Sequence, residues 1–117
     1  MKQISGIAID REGIAETAVE DHWQRLAEAI GCEYIEIVAV RVDGRPYMVV
    51  CDEDYNVRGE YRRGDPVTEF DGWDIFGPAL VFATGRDGEL HSLTGEQRTR
   101  LLAVLPARVR RIGEGIA

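Results

Sequence analysis

A run of acidic and amide side chains near the middle of the chain is the segment that most resembles a metal-binding loop. Asp52, Asp54 and Asn56 supply oxygen ligands at the first, third and fifth positions, which is how an EF-hand calcium loop begins. Such a loop then needs glycine at its sixth position and a bidentate glutamate at its twelfth, but Val57 and Arg63 stand there. The pattern therefore favours a solvated acidic turn, and no metal site is predicted.

Three arginines follow this turn and offer a different chemistry. Arg58, Arg62 and Arg63 carry guanidinium groups, which bind carboxylate or phosphate with paired hydrogen bonds. The alternative, which the sequence favours, is that they pair with neighbouring carboxylates such as that of Asp65. Trp73 adds an aromatic group of the kind that is enriched at binding hot spots. The candidate binding residues of this segment are Asp52, Glu53, Asp54, Asn56, Arg58, Arg62, Arg63 and Trp73.

Groups for nucleophilic or phosphate chemistry do not form a recognisable constellation. The histidines, His22 and His91, belong to no nucleophile elbow and no HExxH motif, and Cys51 reads most simply as a small core residue. The glycines form neither GxGxxG nor GxxxxGK[ST]. We therefore predict no catalytic residue and no cofactor; the sequence leaves catalysis open but favours a non-enzymatic role.

Composition indicates a globular chain. Of its 117 residues, 44% are hydrophobic and 30% are charged, a length and composition typical of a single domain. The net charge of -7 is uneven, since residues 1–94 hold 19 acidic and 9 basic side chains, whereas residues 95–117 hold 2 and 5. An acidic body repels phosphate backbones, so direct nucleic-acid binding is not expected.

The same composition bears on the compartment. The sequence contains no apolar run of about 18 residues, no signal-peptide pattern and no paired-cysteine motif. We therefore expect a cytoplasmic protein that has reduced thiols and does not bind membranes.

The polar segment must be positioned by elements on either side of it. A strand pair is predicted at the start of the chain, because Ile4, Ile7 and Ile9 are followed by a polar, glycine-containing break and then by Ile14. A helix is then predicted at about residues 20–31, because Trp23, Leu26, Ala27 and Ile30 share one face. Gly31 fits the left-handed position that ends such a helix.

Asp43-Gly44 is the strongest hairpin signal in the chain. A two-residue turn there pairs Val42 with Arg45 and sets Glu36 opposite Cys51. In this register both faces of the hairpin are largely apolar, so each must be covered by helices, by a second sheet or by another subunit. A homodimer is one way to meet this requirement. Residues 52 to 74 then leave the sheet as a polar, turn-rich excursion.

The C-terminal part returns to regular structure. A buried strand is predicted at residues 79–83 and another at residues 89–93, joined by a glycine turn. Thr94 and Gln97 match a capping box, which predicts a helix at about residues 95–105 that Pro106 ends. The basic tail, residues 107–117, is either a last helical turn or frayed. The fold class is therefore α+β, a single domain with a mainly antiparallel sheet built from hairpins and two helices.

The order of motifs resembles a family of small phage, plasmid and bacterial proteins known only as a domain of unknown function. That family has a helix leading into a Val-Gly-Gly-x-Ile-Glu element, here at residues 30–36, and an Asp-Glu turn, here Cys51-Asp52-Glu53. An Ile-x-Gly element and a Leu-Thr helix start follow, here at residues 74–81 and at Leu93-Thr94. Cys32 replaces the second glycine, and an asparagine that relatives tend to carry after the Asp-Glu turn has no counterpart at residues 59–64. The resemblance implies a mobile-element setting and an accessory role.

Three functions remain open at the level of sequence. The favoured one is a non-enzymatic accessory protein of a phage, prophage or plasmid that binds a host protein, with counter-defence as one setting. The second is an acidic DNA mimic that inhibits a nucleic-acid-binding host enzyme. The third is a binder of a nucleotide or metabolite, or a minor enzyme, in which the excursion after residue 52 covers the sheet.

Overall fold

The computed structural model describes residues 2–55 and 61–113 and contains two antiparallel sheets and two helices. The α+β architecture predicted from the sequence is confirmed. In chain order the elements are β1 (Gln3–Asp10), β2 (Gly13–Glu20), α1 (Trp23–Ile30), β3 (Ile35–Val42), β4 (Arg45–Asp52), β5 (Pro66–Phe70), β6 (Trp73–Phe76), β7 (Ala79–Thr84), β8 (Leu90–His91), α2 (Gly95–Val104), a 3-10 helix (Leu105–Arg108) and β9 (Val109–Arg111). None of the helices within these described ranges is long and apolar enough to cross a membrane.

The large sheet contains the three predicted strand pairs, β1–β2, β3–β4 and β7–β8. Its strand order is β2-β1-β7-β4-β3, and β8 pairs with the end of β7. The predicted register of the central hairpin is confirmed, with Val42 opposite Arg45 and Glu36 opposite Cys51. Asp43 and Gly44 have φ angles of 51° and 79°, the left-handed pair that a tight turn between twisted strands requires. In the strand order of the large sheet, β3 lies at one edge and β2 at the other.

The small sheet has the order β6-β5-β9 and was missed by the sequence analysis. The predicted excursion, residues 52–74, does leave the large sheet, but its second part is regular structure, because β5 and β6 form a hairpin around Asp71-Gly72. The basic tail is likewise not frayed at residues 109–111, since β9 pairs with β5. Residues 114–117 lie outside the described part of the chain.

Both faces of the large sheet are covered within one chain. One face packs on the small sheet and on α2, and its core includes Ile7, Tyr47, Val49, Val81, Phe70, Ile75 and Leu101. The other face packs on α1, and its core includes Ile4, Val50, Leu80, Phe82, Leu26 and Ile30. The two apolar faces therefore do not by themselves require a second subunit.

Both predicted helices are present, but α1 begins at Trp23 and not at residue 20, since β2 continues to Glu20. In α1, Leu26, Ala27 and Ile30 are buried and Gly31 is left-handed with φ 82°, but Trp23 is 57% exposed, so its place in the apolar stripe is wrong. The capping box that starts α2 is confirmed, since the Gln97 N–H donates to Thr94 Oγ1 at 3.1 Å and the Thr94 N–H donates to Gln97 Oε1 at 2.8 Å.

Candidate functional site

The predicted acidic turn lies directly after β4. Asp52 ends that strand, and its carboxylate accepts a hydrogen bond from the Asp54 N–H at 2.9 Å. The Glu53 N–H donates to the carbonyl of Tyr34 at 3.1 Å, which continues the β3–β4 ladder by one residue. The turn is therefore an ordered extension of the hairpin. The candidates Asn56 and Arg58 lie outside the described residues.

The buried carboxylate of Asp65 connects side chains from two other parts of the chain. The sequence analysis did not identify Asp65 as a site residue. Asp65 is 3% exposed; its Oδ2 accepts a hydrogen bond from the Tyr55 hydroxyl at 2.8 Å, and its Oδ1 pairs with Arg11 at 3.1 Å. Burial, and then this hydrogen bond to Asp65, raise the pKa of Tyr55. Asp65 thus pairs with an arginine from the β1–β2 turn, a partner that the sequence did not predict.

A cavity of about 420 Å³ beside this network brings two of the candidate residues together. Asp52 and Arg62 both line it, along with Arg11, Tyr55 and the C-terminal end of α1. The backbone N–H of Arg62 also donates to the Tyr55 hydroxyl at 3.3 Å. Arg63 lies elsewhere, since its side-chain carbons pack near Gly113. The two described candidate arginines, Arg62 and Arg63, therefore do not lie at one site.

Trp73 begins β6 and stays largely accessible to solvent. It is 44% exposed, whereas Phe70 opposite it and Ile75 two residues later are 0% and 5% exposed. Trp73 and Phe76 line the same small cavity of about 70 Å³, and the ring of Tyr61 packs on Phe76 with centroids 5.7 Å apart. Tyr61 is itself 50% exposed. We call Trp73, Phe76 and Tyr61 the aromatic surface.

Carboxylates surround the aromatic surface. Glu36, Asp52, Glu53 and Asp74 line the cavity that Trp73 and Phe76 share. Asp74 is paired with Arg110 at 3.0 Å, so part of this negative charge is neutralised by β9. Of the predicted candidates, Asp52, Glu53 and Trp73 therefore lie together, on the side of the molecule where the small sheet meets β3.

Cys51, His22 and His91 each make contacts within the fold. Cys51 is 6% exposed, and burial, followed by the charges of Glu36 and Asp52, raises its pKa to about 12, so its thiolate is scarce near neutral pH. The ring of His22 accepts the N–H of Gln24 at the start of α1, and His91 contacts Asp87 at 3.1 Å. Within residues 2–55 and 61–113, no group of three or more His, Cys, Asp or Glu side chains is placed to hold a metal ion.

Comparisons with known proteins give one finding. The family model described as "Domain of unknown function (DUF3846)" matches residues 4–105, which is most of the chain. Searches of curated proteins and of solved structures gave no significant match. The match covers every element from β1 to α2.

Proposed function

The chain belongs to the DUF3846 family, and we propose that it is a non-enzymatic accessory protein that binds a host protein through the aromatic surface. The exposure of Trp73 carries this proposal. An indole ring that is 44% exposed beside residues that are fully buried leaves apolar area that a partner can remove from water. Trp and Tyr are also the residue types most enriched at binding hot spots.

The surrounding charges indicate which kind of partner fits. Glu36, Glu53 and Asp74 place carboxylates around the aromatic side chains. Complementary surfaces at interfaces steer association and suppress wrong partners. We therefore expect the host protein to present an apolar pocket with a basic rim.

The biological setting is part of the proposal and rests on the resemblance described above. The resemblance to small phage, prophage and plasmid proteins favours an accessory role in the cytoplasm of a host cell. Counter-defence is one such role. Binding to membranes or directly to nucleic acid is not part of the proposal, because the chain carries a net charge of -7.

An affinity capture with two matched variants tests the proposal. Trp73→Ala removes the proposed anchor, whereas Trp23→Ala removes an indole ring that is 57% exposed on α1, away from the aromatic surface. Wild-type protein and both variants are used to capture proteins from a bacterial host lysate, and the captured protein is then purified and titrated. We expect Trp73→Ala to weaken binding by about 30-fold or more and Trp23→Ala to leave it unchanged.

Equal binding by the Trp73→Ala and wild-type proteins would exclude the aromatic surface as the binding site. Repeating the titration at high salt addresses the second hypothesis, an acidic DNA mimic. A mimic binds through many carboxylates, so salt would abolish its binding. An apolar anchor at Trp73 predicts that binding to the same partner persists.

A second candidate function is the binding of a small molecule in the cavity beside Asp65. Its volume of about 420 Å³ and a lining that contains Arg11 and Arg62 beside carboxylates suit a compact polar metabolite or nucleotide. A thermal shift with nucleotides that is lost in Arg62→Ala would favour this function. It would not require Trp73.

A further inference from the structure

The outer edge of β3 has backbone groups that pair with no other strand among the described residues. In a hairpin with a two-residue turn, the residues next to the turn form a hydrogen-bonded pair, and such pairs recur at every second position. Val42, Val40, Val38 and Glu36 therefore bond to β4, and the bond from the Glu53 N–H to the Tyr34 carbonyl continues this series. Ile35, Ile37 and Ala39 direct their N–H and C=O groups away from the sheet.

The open part of the β3 edge ends before Arg41. The carbonyl of Arg41, the next outward-facing residue, already accepts the N–H of Asp71 at 2.9 Å. The open stretch is therefore centred on Ile37, whose side chain is 46% exposed. Edge strands usually carry lysine, proline or bulges that prevent pairing with another chain. Residues 35–40 have no lysine or proline, and Glu36 is their one charged residue.

We propose that β3 pairs antiparallel with β3 of a second copy of this chain, about a two-fold axis at Ile37. This goes beyond the proposed function and does not depend on it. The axis sets Ile37 opposite its own equivalent and Ile35 opposite Ala39 of the other copy, so that all of the open backbone groups are paired. The large sheet then continues across the two copies.

The open backbone groups and the charge of β3 select this register over its neighbours. With the axis at Ile37, Glu36 lies opposite Val38. An axis at Glu36 would place two Glu36 carboxylates opposite each other, and like charges in direct opposition destabilise a strand pair. An axis at Val38 would pair Ile35 with Arg41, whose carbonyl already accepts the Asp71 N–H.

The dimer has a consequence for partner binding. A two-fold axis perpendicular to the extended sheet puts both small sheets, and hence both Trp73 side chains, on the same side. Two identical sites on one side allow bivalent binding, which raises the apparent affinity for a partner that is itself repeated.

The oligomeric state tests the proposal first. We expect sedimentation to give twice the chain mass of 13.1 kDa for the wild type at concentrations of about 0.1 mM, within the range of weak self-association. Ile37→Lys places a charge at the centre of the open edge and should give a monomer. Ala15→Lys, at an exposed position of the opposite edge strand β2, should leave the dimer intact.

Cross-linking tests the register without depending on affinity. In a Cys32→Ser background, Ile37→Cys should form a disulfide between copies, because opposite residues in a hydrogen-bonded pair have Cα atoms about 5.5 Å apart. Ala39→Cys should not, since its two equivalents are offset by four residues, or about 14 Å.

A chain that stays monomeric at all concentrations, or that cross-links through Ala39→Cys and not Ile37→Cys, would overturn the proposal. A monomer would leave the open edge to a strand from another protein, whereas a cross-link through Ala39→Cys would mean that β3 pairs with a second copy in another register. Because Trp73→Ala is expected to keep the dimer, failure of partner binding and failure of dimerisation are distinguishable.

Discussion

The Asp71 carboxylate, in the turn between β5 and β6, accepts a hydrogen bond from the backbone N–H of Gly44 at 2.7 Å. It also accepts the N–H of Asp43 at 3.1 Å and a hydrogen bond from Arg108 at 3.3 Å. Arg108 in turn donates to the Asp43 carboxylate. A single side chain of the small sheet therefore holds the left-handed turn of the large sheet, beside the β3 edge.

This contact predicts a pH dependence of stability. The Gly44 N–H, followed by the Asp43 N–H and Arg108, lowers the pKa of Asp71 against a smaller opposing effect of burial. A carboxylate whose pKa is lower in the folded state stabilises the fold above its ordinary pKa of about 4, and that stabilisation is lost as the pH falls through the lower value. The free energy of unfolding of Asp71→Asn, measured by urea denaturation, should therefore decrease less than that of the wild type as the pH falls below about 4.

Glu12→Gln, which removes a carboxylate from the exposed β1–β2 turn, serves as the control for the loss of one negative charge. If Asp71→Asn and the wild type lose stability in parallel over this acid range, the Asp71–Gly44 contact does not contribute as described.

The Tyr55 hydroxyl should contribute measurably to stability. Tyr55→Phe leaves the buried Asp65 carboxylate with one hydrogen bond fewer, and an unsatisfied buried acceptor costs about 1–3 kcal/mol. Tyr34→Phe removes a hydroxyl from a side chain that is 55% exposed and should change the free energy of unfolding by less than about 0.5 kcal/mol. Urea denaturation of both variants measures the difference; similar values for the two would contradict the role of this network.

Thr68 offers a change that should increase stability. Its side chain is 0% exposed, and its hydroxyl has no hydrogen-bond partner within the described ranges. Thr68→Val keeps the β-branched shape and removes the buried polar atom, so we expect the free energy of unfolding to rise by about 1 kcal/mol. Thr17→Val on β2, where the side chain is partly exposed, is the control. A loss of stability in Thr68→Val would indicate that the hydroxyl is satisfied by a bound water molecule.

The two cysteines should differ in reactivity. Burial keeps the pKa of Cys51 near 12, whereas Cys32 is only partly buried at the end of α1. Because the thiolate is the reactive form, iodoacetamide should label Cys32 alone in the native protein and both cysteines in urea. Mass spectrometry of the labelled protein counts the adducts. Rapid native labelling of Cys51 would mean that the β3–β4 hairpin opens under native conditions.

Local signals made the strand pairs of the large sheet and both helices predictable, but not the position of β7 between β1 and β4. Asp43-Gly44 specifies a turn with two left-handed residues, so the register of β3 and β4 follows from the turn alone. Gly31 and Thr94 likewise mark helix ends through their own backbone or side-chain chemistry.

The small sheet and the Asp65 network depend on distant partners and could not be predicted. β9 has three residues, and its pairing with β5 joins positions more than 40 residues apart. Arg11 and Asp65 are separated by 54 residues, so no local pattern favours their pairing over that of Asp65 with Arg62. Trp73 was identified as a candidate by its residue type, but its exposure follows from the short β6 strand at the edge of the small sheet.

The most direct test of partner binding uses the fluorescence of the two tryptophans. Trp23→Phe leaves Trp73 as the single indole, and Trp73→Phe leaves Trp23. With the captured host protein added to saturation, a proposed interface at the aromatic surface predicts that acrylamide quenching of Trp73 falls sharply and that quenching of Trp23 is unchanged. If Trp73 remains as accessible to acrylamide in the complex as in the free protein, the aromatic surface is not the binding site.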